Sequence, residues 1–224
     1  MTGGRLGGPG RRFDLVIFDC DGVLVDSERL SIGLDVEFLA GIGWPMGEDE
    51  VIERWVGKTD AAMRREIEAH LGRDIRAEWE AFSERYVAAF AAELRAVDGV
   101  TEAVDAIQAA GYATCVASSG DHDKIRRNLG LTGLRDRFGE RIFAADDVEH
   151  GKPAPDLFLH ASAAMGTPPE RTAVIEDSRH GVAAARAAGM WCFAYAGGVT
   201  PGGALAGDRT TVFDEMRELP ALLA

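Results

Sequence analysis

The feature that most constrains this chain is a rhythm. Short apolar runs recur at 13–18, 112–117, 141–145, 172–175, 191–195 and 211–213. Each is bounded by turn-type residues and lacks polar alternation, which is the pattern of a strand covered on both faces. Helical spacing fills the gaps between them. Thr101 to Ala110 keeps Val104 and Ile107 on one face and stops at Gly111. The next helix opens at Asp121 or His122, turns Ile125 and Leu129 inward and is expected to end at Gly130. A third takes Pro155 in its first turn, where a missing N–H costs nothing, and runs on over Leu157 to Met165. A fourth spans His180 to Ala188, before Gly189. Strands alternating with helices of this length specify right-handed crossovers and a doubly wound parallel sheet, an α/β fold.

Residues 29–95 break the rhythm. They read as helix after helix, at Leu30 to Ala40, Asp49 to Val56, Asp60 to Leu71 and Ala77 to Leu94, with loops at Gly41 to Gly47 and Gly57 to Thr59. So long a helical block is too much for a simple crossover. The expected organisation is a core domain of residues 13–28 and 96–224 carrying an inserted all-helical cap domain at 29–95, with hinges near Ser27 to Leu30 and Arg95 to Gly99. Residues 1–12, rich in Gly and Arg, are expected to be a flexible tail outside the fold.

Composition narrows the class of partner. The 224 residues are 46% hydrophobic and 27% charged, ordinary for a globular protein, and the formal net charge of −13 repels a polyanion. Nucleic acid is therefore not an expected partner, although one lysine, backbone amides or a metal can reverse the field inside a cleft. Cys20, Cys115 and Cys192 lie in apolar runs without C-x-x-C or zinc spacing, so reduced core thiols are expected. No leader-like segment follows the N-terminal basic residues, and no apolar run approaches the roughly 18 residues of a membrane span. A cytoplasmic enzyme without a membrane partner is the expectation.

In a doubly wound sheet, ligands bind beyond the carboxyl ends of the strands. There the first run, in "FDLVIFDCDGVLVDSE", delivers Asp19 and Asp21; the second, in "YATCVASSG", delivers Ser118 and Ser119. The loop "HGKPAP" supplies Lys152, and "TAVIEDS" supplies Glu176 and Asp177. Singly, each has a plainer reading as a helix cap, a turn residue or a solvated side chain. Their coincidence at successive strand ends favours one cleft. Four carboxylates there call for a divalent cation, and hard oxygen ligands with an open water shell suit magnesium. A lysine and a serine hydroxyl suit the oxygens of a phosphoryl group. Asp19, at the strand tip, is placed to attack phosphorus, and Asp21 to give a proton to the leaving oxygen and afterwards activate water.

These residues resemble the haloacid dehalogenase superfamily over nearly the whole chain. "DCDGVLVDSE" is similar to its first motif, Ser118 to its second, Lys152 in "GKPAPDLFL" to its third and "EDSRHG" to its fourth. The resemblance implies a Rossmann-like core, a helical cap of the type found in beta-phosphoglucomutase-like phosphatases, Mg2+ and an aspartyl phosphate intermediate. It also implies metal contacts from Asp19, the Asp21 carbonyl and Asp177, assisted by Glu176. Asp21 argues against dehalogenation. A phosphonate-cleaving member would need a cap lysine as a Schiff base, and only Lys58 falls in the block. The mutase pattern has a histidine where Ser31 stands and an arginine where Asp60 follows Gly57. A phosphatase for a small phosphorylated metabolite such as a sugar phosphate is favoured over the mutase.

Other motifs in the chain have plainer readings. "GKT" at Gly57 to Thr59 is no phosphate-binding P-loop, since Ile52 stands where a glycine is needed; Gly57, Lys58 and Thr59 read instead as a cap loop able to touch substrate. An EF-hand fails at Val23 and Leu24. His122 and His180 are expected at the surface. A phospho-accepting signalling domain, the non-enzymatic alternative, would lack both Asp21 and the helical block.

Overall fold

A computed structural model of the protein describes residues 12–224. Its centre is one six-stranded sheet of β1 (Leu15–Phe18), β2 (Ala113–Ala117), β3 (Ile142–Phe143), β4 (Thr172–Glu176), β5 (Trp191–Tyr195) and β6 (Thr210–Phe213), every pairing parallel, in the order β3-β2-β1-β4-β5-β6. Chain order reverses at β1, which places it beside both β2 and β4. Alternate residues of β1 feed different cores. Val16 and Phe18 join Val104, Ile107, Ile125 and Leu129 on one side; Leu15 and Ile17 join Leu157, Phe158, Val174 and Val182 on the other. Burial on both faces is why these strands read as continuous apolar runs.

The flanking helices are α1 (Glu28–Gly41), α2 (Glu48–Trp55), α3 (Asp60–Leu71), α4 (Arg76–Glu93), α5 (Val100–Ala109), α6 (His122–Leu131), α7 (Arg135–Phe138), α8 (Asp156–Ala164), α9 (Arg179–Ala187), α10 (Gly202–Leu205) and α11 (Leu219–Leu223). The expected stop at Gly130 needs correction. Helix α6 continues through it to Leu131, closed by Leu134 N donating to Leu129 O at 2.9 Å, and the left-handed residue is Gly133 with φ 73°. Packing of Leu129 and Leu134 outweighs the roughly 1 kcal/mol that a helical glycine costs.

Helices α1 to α4 stand between β1 and β2 and surround a third core of Ile32, Phe38, Leu39, Val51, Trp55, Met63, Ile67, Ile75 and Phe82, in which the Phe38 and Phe82 rings stack at 4.4 Å. Thr59 caps α3 by accepting from Ala62 N at 3.1 Å, and Gly72, at φ 64°, ends it. The strands entering and leaving this block lie side by side. Val25 and Ala96 form an antiparallel bridge, with Asp26 N to Arg95 O at 2.9 Å and Val97 N to Leu24 O at 3.1 Å. Of the tail expected at 1–12, residues 1–11 lie outside the described residues, and the Arg12 guanidinium sits 3.8 Å over the Trp191 ring. Among the described residues no helix is long and apolar enough to cross a membrane.

Candidate active site

The tip of β1 creates the site. Asp19 N donates to Ile175 O at 2.9 Å, carrying the β1–β4 ladder one residue past Phe18 and fixing Asp19 where the two strands end. Gly22 then turns the chain at φ 77°, and a side chain there would overlap the Asp177 carboxylate. Cys20 points away into the core, where burial, reinforced by the two neighbouring aspartates, pushes its thiol well up. It is a packing residue.

Beneath Asp19 lies a buried ammonium. Lys152 Nζ donates to Asp19 Oδ1 at 2.5 Å, Glu176 Oε1 at 2.8 Å and Ala117 O at 3.2 Å, which uses all three of its protons. Glu176 Oε2 in turn accepts from Asp177 N at 2.8 Å, Ser178 N at 2.7 Å and Ser178 Oγ at 2.9 Å. Both Glu176 oxygens are thus committed to holding Lys152 and the start of α9. Ser118, at the tip of β2, is 1% exposed and accepts from Gly120 N at 3.2 Å.

A cavity of about 270 Å³ opens above these groups, between the sheet and the helical block. Asp19, Asp21, Asp177, Ser118 and Ser119 line its floor; Gly57, Lys58 and Thr59 line its roof. The strand-end residues expected from the sequence therefore converge, except that Lys152 and Glu176 lie below the floor and reach the cavity through Asp19. The roof loop is pinned to the core. Ser119 Oγ donates to Gly57 O at 2.9 Å, and His180 Nδ1 lies 2.8 Å from Val56 O, where it donates. His180 is therefore half-buried under the loop, a correction to its expected place at the surface; His122 pairs with Asp147 at 3.0 Å. Lys58 keeps its ammonium on Glu66 at 2.8 Å, inside the helical block.

Negative charge exceeds positive at the floor. Burial pushes Asp19 up to about 7, opposed by Lys152 and reinforced by Glu176. Burial also raises Asp177 well above the ordinary carboxylate range, with Glu28 and Glu176 adding to it. Glu28, which sequence reasoning missed although it closes the quoted "VDSE", is buried and pushed up to about 8, first by burial and then by Asp21. Asp177 Oδ2 is buried with no hydrogen-bond partner. An orphaned carboxylate oxygen among acids that resist ionising fits a cation. Among the described residues no three His, Cys, Asp or Glu side chains form a metal cage.

A family model for haloacid dehalogenase-like hydrolases matches residues 13–189, which include every one of these floor and roof residues. The chain belongs to that family. It is an enzyme, and it stands with the family's phosphoric monoester hydrolases. The 6-phosphogluconate phosphatase of Escherichia coli K12 is 29% identical over 94% of this chain and 95% of its own. The protein SUPPRESSOR OF QUENCHING 1, chloroplastic, of Arabidopsis thaliana is 36% identical over 80% of this chain, which spans only 17% of that protein's length. A solved haloacid dehalogenase-like protein of Agrobacterium tumefaciens superposes with a TM-score of 0.78 at 32% identity, covering 94% of this chain and 97% of that one. Against this family background Ser31 donates to Glu28 O at 3.0 Å, and Asp60 faces the core lysine Lys124 at 3.6 Å. Both depart from the mutase pattern.

Proposed function

We propose that the protein is a magnesium-dependent phosphatase that hydrolyses a small phosphorylated metabolite, such as a sugar phosphate, through an aspartyl phosphate at Asp19. The observation that carries this reading is the Asp19–Lys152–Glu176 array under a cavity whose floor also holds Asp21, Ser118 and the orphaned Asp177 oxygen. Asp19, Asp177 and the Asp21 carbonyl would hold Mg2+, which when bound neutralises charge on the phosphoryl oxygens and keeps Asp19 ionised. Glu176, saturated by Lys152, Ser178 and backbone amides, would act on that group only from behind.

The chemistry then falls to the chain. Asp19 attacks phosphorus; the bond from phosphorus to the ester oxygen breaks, and the Asp21 carboxyl gives that oxygen its proton. The Asp21 carboxylate next takes a proton from water as the water oxygen bonds to phosphorus. The Asp19–phosphorus bond breaks, inorganic phosphate leaves, and both aspartates return to their starting states. Lys152 holds Asp19 in line, and Ser118 hydrogen-bonds a phosphoryl oxygen. Gly57, Lys58 and Thr59 shape the space for the organic group, and Ser119 holds their loop down.

A metabolite mutase would also have to grip a second phosphate on the roof side. There Asp60 lines the cavity where the mutase pattern has an arginine, with Asp35 beside it. Hydrolysis of 4-nitrophenyl phosphate with Mg2+ tests the reading. Wild type is expected to turn over, Asp19→Asn to lose activity by at least about 1,000-fold and Asp21→Asn to lose kcat by about 100-fold or more, because water attack on the aspartyl phosphate needs its base even where the leaving phenolate needs no acid. Turnover by Asp19→Asn at the wild-type rate would sink the assignment.

A further inference from the structure

Lys124 and Arg127 both line the cavity and have no part in the chemistry above. Lys124 lies on α6, a core helix, with its side chain 14% exposed. Its ammonium stands 3.6 Å from Asp21 Oδ2 and 3.6 Å from Asp60 Oδ1, and 5.4 Å from the centre of the Tyr86 ring. Glu28 also faces it. Asp21 belongs to the core; Asp60 opens α3 and Tyr86 lies on α4, both in the helical block. One turn farther along α6, Asn128 is fully buried and its Nδ2 lies 3.5 Å from the other Asp21 oxygen, Oδ1. Residues four apart share a helix face, so α6 sets an ammonium near one oxygen of the Asp21 carboxylate and an amide donor on the other.

We infer that Lys124 is a positioning residue: it ties the shut helical block, through Asp60, to the orientation of the Asp21 carboxylate that moves the proton. This rests on the phosphatase reading and adds to it. With the roof loop docked, Asp60 and the Tyr86 face bring an anion and a π-cloud to one side of the ammonium, leaving it a fixed position from which to hold Asp21 Oδ2. When the block lifts away, Asp60 and Tyr86 leave with it. Lys124 then loses two of its neighbours, and with them the fixed position from which it faces Asp21 Oδ2. Proton transfer is thereby confined to the closed state. The same contact explains why an acid stands at Asp60: a base there would repel Lys124.

A leaving-group comparison tests this. Protonation of the departing oxygen matters greatly for phenyl phosphate and little for 4-nitrophenyl phosphate, whose phenolate leaves unaided. With Mg2+ and the full chain, Lys124→Met should lower kcat/KM for phenyl phosphate by about tenfold or more and change that for 4-nitrophenyl phosphate by less than about threefold. Lys124→Arg should restore most of the loss. Asp60 is exposed, so Asp60→Asn folds whether or not Lys124→Met does, and should shift the ratio of the two esters the same way. The double variant should be no worse than Lys124→Met alone, because both remove one contact chain. An unchanged ester ratio in Asp60→Asn, or equal losses on both esters in Lys124→Met, overturns the inference while leaving the phosphatase reading intact. No turnover of either ester by wild type overturns both.

Discussion

Glu176 occupies the space where Gly181 would carry a side chain, so a Cβ at that position would overlap the carboxylate. This glycine is needed for close approach and not for its backbone angles. Gly181→Ala should displace Glu176 from Lys152 and destabilise the protein by about 1–3 kcal/mol, the usual range for overpacking a core, with activity falling in parallel. Urea denaturation beside initial rates would show it; an alanine variant as stable as wild type would mean that Glu176 has another place to go. Lys152→Met strikes the same array harder. It leaves Asp19 and Glu176, 8% and 1% exposed, buried without their cation. Removing one partner of a buried ion pair costs about 3–5 kcal/mol, so both the urea midpoint and kcat should drop.

At the scale of elements, the roof loop is the part whose role separates most cleanly from stability. Gly57 sits at φ 84° against the Ser178 side chain, and its carbonyl accepts a hydrogen bond from the Ser119 hydroxyl. Gly57→Ala both strains the left-handed backbone, by about 1–2 kcal/mol, and props the loop off the core. Its expected signature is a fall in kcat/KM of about tenfold with little change in the denaturation of the sheet domain. A Tm loss without a kinetic change would contradict that. Ser119→Ala, which removes one hydrogen bond worth about 1 kcal/mol, should give a weaker version of the same effect.

The elements also show what the sequence could and could not reveal. Strands buried on both faces announce themselves as apolar runs, and a run that stops in acids or serines marks the edge where the cavity opens, so Asp19, Asp21, Ser118 and Asp177 were readable. The α7, α10 and α11 turns were not, being too short to establish a period. Nor was Lys124. Its partners Asp21, Asp60 and Tyr86 come from distant parts of the chain, and nothing about a lysine in an amphipathic helix tells whether it meets water or three facing groups. His180 was expected at the surface for the same reason, because its acceptor, the Val56 carbonyl, belongs to the helical block.

For the molecule as a whole, the crowding of acids sets a pH dependence. Burial raises Asp19 and Asp35 to about 7 from 3.8 and Glu28 to about 8 from 4.5. Above the ordinary carboxylate range the unfolded chain has released protons that the metal-free folded chain still binds. Stability therefore decreases as pH rises from about 4 to about 8. In EDTA the Tm should be higher near pH 5 than near pH 8, and millimolar Mg2+ should recover much of the loss at the upper end by binding the folded state alone. A Tm that rises across this interval without metal would show that the acids are ionised in the fold.

The antiparallel bridge between Val25 and Ala96 has a different consequence. Bridged antiparallel residues lie about 4.5–5.5 Å apart, a gap that a two-residue hairpin turn spans. The helices between them enclose their own apolar cluster, and the sheet is assembled from strands on either side of the gap. The bridge is a socket: the chain can be excised there and rejoined, or a foreign module grafted in, with the β1–β2 register unaltered. Under the proposed function, a protein so built can exchange the part that chooses among molecules while inheriting, unedited, the part that breaks the bond.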